Sequence, residues 1–199
     1  MAAPITHIVM AEKVLKNLPN ISRKEFFIGT SFPDIRYIRV IDRDATHVQD
    51  VASEDIQTDS FRAGFLFHSR LDTLQVEYHR AHPHQMVPED GLMLQAFKLF
   101  EDQVLWEKLS DWDTIANYFN DILSEEIEFK VEKENIAKWH SILREYMSQK
   151  PTPESRAPFF KELFFTPEQS AKIEVHIKEM EADQTLTAVI EDFYQEIQK

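Results

Sequence analysis

Apolar residues recur at three- and four-residue steps along most of this chain, the spacing of one helix face. No pair of alternating β-branched runs is joined by a tight Asn-Gly or Asp-Gly turn, so hairpins have little support. A first helix is predicted after Pro4, with Ile5, Ile8, Val9, Leu15 and Leu18 on one side and Pro19 as its stop. Ser22 and Glu25 have capping-box spacing and open a short helix through Phe26, Phe27 and Ile28, which Gly29 is expected to end. From there to about Thr58 no period is sustained, and residues 30–58 read as a long ordered loop, a feature that is often functional. A strong helix follows from about Asp59 to Ala81, with Phe61, Phe65, His68, Asp72, Gln75 and His79 sharing one face.

Beyond the proline-interrupted AHPHQMVP, helices are predicted around Met93, Phe97, Phe100 and Val104, then Ile115, Phe119 and Ile122, then Ile136, Trp139, Leu143 and Met147. After a break at KPTPESRAP, one more carries Phe159, Phe160 and Leu163, and a last one opens at Thr166 and Pro167 and carries Ile173, Ile177 and Met180. The expected fold is all-α, a single compact multi-helix bundle over 1–199, with the polar residues that need explaining in 1–85 and helical scaffold in 86–199. The 199 residues, 43% hydrophobic, suffice for one substantial core.

Composition narrows the chemistry. There is no cysteine, so a metal must be held by His, Asp or Glu. A formal net charge of −13 argues against a broad nucleic-acid surface and against attachment to an anionic membrane. It leaves a phosphate-bearing substrate open, because bound divalent ions supply local positive charge. MAAPITHIVMAEKVL lacks a basic segment followed by an apolar one, and no apolar run reaches the ~18 residues of a membrane span, so the expectation is a cytoplasmic protein without a transmembrane segment.

His68 and Asp72 lie four apart and converge on one helix face. Each has a bland reading as a core polar residue satisfied by hydrogen bonds, although a carboxylate in line with apolar residues is rare unless paired or metal-bound. His7 on the first helix, Asp34 after an SFPD turn and His47 in an ATH segment bring the set to five oxygen and nitrogen donors, which suit zinc, iron or manganese. His82 and His84 flank Pro83 on a loop, and His176 sits among polar residues; all three read as surface histidines.

These segments, PITHIVMAEKVL, FIGTSFPDIRY, ATH and GFLFHSRLD, resemble the zinc-dependent phospholipase C group, which is related to single-strand nucleases of similar fold. The match covers about the first 85 residues. It implies that Asp34, His47, His68 and Asp72 hold one metal and that His7 and Asp72 hold a second, with Asp72 as bridge. In secreted members the mature amino terminus completes the second site, a role that would fall to Ala2 here. A further metal in the group uses a later His and a His-x-x-x-Glu pair; His79 is placed on the metal face, whereas His140 is followed four residues on by Arg144. One or two ions, most simply Zn²⁺, with iron or manganese as alternatives, are therefore expected.

The function this implies is metal-dependent hydrolysis of a phosphodiester or phosphate ester on a small phosphate-containing substrate. Asp34 would orient the attacking water. Arg36 and Tyr37 stand near enough to contact the phosphate, while Arg70 points away from the face of His68 and Asp72. Rival readings are a metal-binding protein without hydrolysis, whose ion staples the 30–58 segment to the helices, and a di-iron or di-manganese redox protein, which lacks its usual Glu-x-x-His pairs. A third is a metal-free interaction module built on aromatic helices such as FFKELFF, residues 159–165.

Overall fold

In the computed structural model, which describes residues 3–56, 59–82 and 91–197, every regular element is helical. Helix α1 (Pro4–Leu15) is followed by α2 (Arg23–Ser31), a 3-10 segment (Phe32–Ile38), the single turn α3 (Arg43–Thr46) and a second 3-10 turn (Ser53–Ile56). The long helix α4 (Ser60–Ala81) begins at an Asp59 cap whose side chain accepts from Arg62 N. The second half comprises α5 (Gly91–Leu105), α6 (Trp112–Tyr118), α7 (Ser124–Ile127), α8 (Lys133–Met147), α9 (Pro153–Glu162), α10 (Pro167–Glu181) and α11 (Gln184–Glu196). One contiguous core runs from Ala3 to Phe193. No helix among the described residues is long and apolar enough to cross a membrane.

Several sequence expectations need correction. Over 30–56 the expected loop is broken up: two 3-10 segments and α3 occupy much of the stretch, pieces too short to show a period, with irregular backbone between them. Gly29 does not end α2. It lies inside the helix, where a Cβ would fall within the van der Waals radius of the Phe61 carbonyl oxygen on α4, and a Cβ on Gly64 would do the same to the carbonyl of Phe26. The two glycines let α2 and α4 cross backbone against backbone. Helix α1 stops at Leu15, short of Pro19, and closes through bonds from Asn17 N to Val14 O and from Leu18 N to Leu15 O. The helix opened by Thr166 is not the last: Asp183 caps α11 by accepting from Thr185 N and Leu186 N. Of the FFKELFF phenylalanines, Phe159 and Phe160 are core residues, while Phe164 is exposed beside the Arg39 guanidinium.

Candidate metal centre

Helices α1, α2 and α4 and the α3 turn bring five polar side chains together. His7, Asp34, His68 and Asp72 are 1%, 4%, 1% and 7% exposed, and the His47 side chain is buried as well. His7 is one turn into α1, whose first N–H groups are received by a carboxylate from far along the chain: Asp102 on α5 accepts from Ile5 N at 3.3 Å and Thr6 N at 2.6 Å. Helix α1 has no side-chain cap of its own at Ala3, so Asp102 serves as one. The Gly29–Gly64 crossing carries the carbonyl of Thr30 to within 2.8 Å of His68 Nδ1. Asp34 follows Pro33 in the first 3-10 segment, and His47 leaves α3 in extended conformation.

The hydrogen bonds fix which imidazole nitrogen carries the proton. A carbonyl oxygen only accepts, so His7 Nδ1–H donates to Ala3 O at 3.2 Å and His68 Nδ1–H to Thr30 O. Thr46 Oγ1 gives its one proton to Arg43 O and so accepts from His47 Nδ1–H at 3.0 Å. All three imidazoles thus turn Nε2 inward, toward one another and the two carboxylates. His47 Nε2 and His68 Nε2 are 3.2 Å apart, His7 Nε2 is 3.5 Å from Asp72 Oδ1, His47 Nε2 is 3.6 Å from Asp72 Oδ2, and His68 Nε2 is 3.9 Å from Asp34 Oδ1. His7 Nε2 is buried without a hydrogen bond. Acceptors facing acceptors in a buried site repel each other unless a cation lies between them.

Burial shapes the electrostatics. It lowers the His68 imidazole well below its ordinary range and, reinforced by the Arg43 guanidinium, brings His47 down to about 4. Both are therefore neutral at physiological pH, the form that binds a metal. Burial raises the Asp34 carboxyl, partly countered by His7 and Arg36. It also resists the charge on Asp72, but the close approach of His7 and the neighbouring His68 prevails and holds that carboxyl well below the usual range. Two ligand groups emerge, His7, His68 and Asp72, and Asp34, His47 and His68, each with donor atoms within 4.8 Å of one another. Asp72 directs one oxygen to His7 and the other to His47, as a bridging carboxylate does.

The remaining sequence candidates lie apart. His79 faces Glu101 at 3.6 Å, two turns of α4 or about 10 Å beyond Asp72, in a group where Gln75 Nε2 also donates to Glu101. Arg36 is drawn to Asp34 at 3.4 Å and to the Tyr37 hydroxyl at 2.9 Å. Arg70 points away, as helical geometry requires, and donates to Val51 O. His140 makes a buried pair with Glu126 at 2.7 Å, and Arg144 donates to Asn120. His82 is exposed beside Tyr78, and His176 is half-buried against Glu179. Ala2 and His84 lie outside the described residues.

Sequence reasoning missed four contributors. Arg43 Nη2 stands 3.8 Å from Asp72 Oδ2 at the mouth of the site. Lys98 is a buried lysine that donates to the Tyr37 hydroxyl at 3.1 Å. Thr30 and Thr46 orient two of the imidazoles, and only Thr46 had a local signal, its position directly before His47. Compared with family models, with curated proteins and with solved structures, the chain matches none.

Proposed function

We propose that this protein is a metal-dependent hydrolase of phosphate esters, holding one or two divalent ions on His7, Asp34, His47, His68 and Asp72. The observation that carries this reading is the convergence of three imidazole Nε2 atoms and two carboxylates, with two of the nitrogens 3.2 Å apart and a third buried without a hydrogen bond. The resemblance of the segments around these five residues to the zinc-dependent phospholipase C group supports it as well, because it rests on residue types and order and not on their distances. Zinc suits this set of imidazoles and carboxylates, as do iron and manganese.

A divalent ion supplies a more acidic water and positive charge for the phosphoryl oxygens. The chain supplies the rest. Thr30, Ala3 and Thr46 fix the imidazole tautomers. Asp34, at the inner wall and raised by burial, is the carboxyl suited to orienting a water and taking its proton. Arg36 acts through Asp34 as a positioning residue, and Arg43 is the guanidinium that faces an incoming anion.

A second reading, an ion-stapled protein without hydrolysis, is favoured by the engagement of His79 and His140 with glutamates away from the site. Turnover of bis(p-nitrophenyl) phosphate by zinc-loaded protein separates the two. The hydrolase reading expects turnover that ends in chelator and in Asp34→Ala; zinc binding without turnover leaves the staple.

A further inference from the structure

Granted the phosphoester reading above, we propose that the substrate is a small, water-soluble phosphoester of a polyol or sugar, seated in the polar cavity that opens beside His47 and Asp72. This cavity is about 380 Å³, the size of a small-molecule site. Its long wall is the side of α4 that carries Asp72, Thr73, Glu77 and Arg80, and the opposite wall is Arg43 with Gln49 and Asp50. Among the described residues the only apolar side chains on it are Val48 and Val76.

The charge order along the cavity matches such a molecule. Arg43, whose guanidinium reaches Asp72, marks the end where phosphorus meets the candidate metal centre. Arg80 lies eight residues further along α4, about 12 Å away. Gln49, Asp50, Thr73 and Glu77 also line the cavity and offer both donors and acceptors, the complement of a hydroxyl-bearing group. A fatty acyl chain would find fewer apolar side chains against it there than in the groove on another side of α4, since each buried methylene needs apolar surface. Apolar surface does exist nearby: a groove of about 670 Å³ lined by Val14, Leu18, Phe67, Leu74, Tyr78 and Phe193 runs along another side of α4. None of the five candidate ligands lines that groove, and the charged Glu77 borders both spaces.

In the reaction, a water oxygen bonds to phosphorus, the ester P–O bond breaks, and the leaving alkoxide takes up the proton that the water releases. The test compares zinc-loaded protein on glycerophosphoglycerol, on dioctanoyl phosphatidylcholine and on bis(p-nitrophenyl) phosphate. The expected result is a kcat/KM for the polyol ester roughly tenfold or more above that for the lipid. The ratio of polyol to nitrophenyl turnover should also fall by about tenfold in a Gln49→Leu, Thr73→Val variant. Calorimetric titration with a hydroxylated alkylphosphonate against hexylphosphonate reads recognition without turnover, and tighter binding of the hydroxylated compound is expected. Equal or better turnover of the lipid, or equal binding of the two phosphonates, overturns the polyol assignment while leaving the hydrolase reading intact. No turnover of any of the three esters by zinc-loaded protein overturns both.

Discussion

Two carboxylates on either side of the first turn of α1 show opposite chemistry. Asp102 is fully buried and surrounded by donors: Ile5 N, Thr6 N, the Thr6 hydroxyl at 2.7 Å and the Tyr146 hydroxyl at 3.0 Å. Asp72 is nearly as buried, but what faces it are the imidazole nitrogens of His7 and His47 and, at 3.8 Å, the Arg43 guanidinium. The Asp102 group is complete as protein alone, and its function is to cap a helix. The Asp72 group, already faced by the Arg43 guanidinium, sets imidazole nitrogens and carboxylates together as a donor set that a divalent ion fits. Burial and a polar side chain therefore do not by themselves mark a functional site; the match of donors to acceptors does.

The largest way to break this contrast is at the α2–α4 crossing, on which the Asp72 group depends through His68. Gly64→Ala should cost about 3 kcal/mol or more, because the added methyl meets the backbone of Phe26 rather than a side chain that can move. The measurement is the urea midpoint, and zinc should no longer raise it, since His68 loses the Thr30 carbonyl that orients it.

Smaller effects separate the two carboxylates themselves. Asp102→Ala should cost about 2 kcal/mol by stranding buried donors. Burial also pushes the Asp102 carboxyl up to about 7 from an ordinary 3.8. The folded chain thus keeps a proton that the unfolded chain has released, so this group's stabilisation is complete below 3.8 and is lost as the pH rises through about 7. Urea midpoints either side of that window should show a downward slope in wild type that Asp102→Asn removes.

Asp72→Asn should behave in the opposite sense. In chelator it should cost about 1 kcal/mol, the stability that a carboxyl held below its ordinary range lends the folded chain, offset in part by the amide's own hydrogen bonding. Zinc at a hundred times its Kd should stabilise wild type by about 2.7 kcal/mol and the variant far less, as thermal melts with and without zinc would read. A large loss for metal-free Asp72→Asn would make this carboxylate structural, like Asp102.

What was legible in the sequence follows from locality. The α4 stripe stood out because its period is sustained over six turns and Asp59 caps it, and with it came His68 and Asp72. The 3-10 segment that delivers Asp34 was not readable, since seven residues around a proline show no period. Gly29 looked like a helix end because its reason for being glycine, the backbone of Phe61, is remote in sequence. The Asp102 cap is 96 residues from Thr6 and has no local signature. The five candidate ligands were named from their types and order, whereas the direction of each Nε2 depends on Ala3, Thr30 and Thr46, and only the folded chain brings these into register.

The central claim, that this pocket of lone pairs is a cation site, is tested most directly by elemental analysis of the full chain purified without affinity-tag nickel and dialysed against trace zinc, iron and manganese. One or two equivalents of a single metal per chain, lost in His68→Ala and retained in a His140→Ala control, is the result expected. Wild-type protein that folds, yet carries no metal and takes none up, would contradict it.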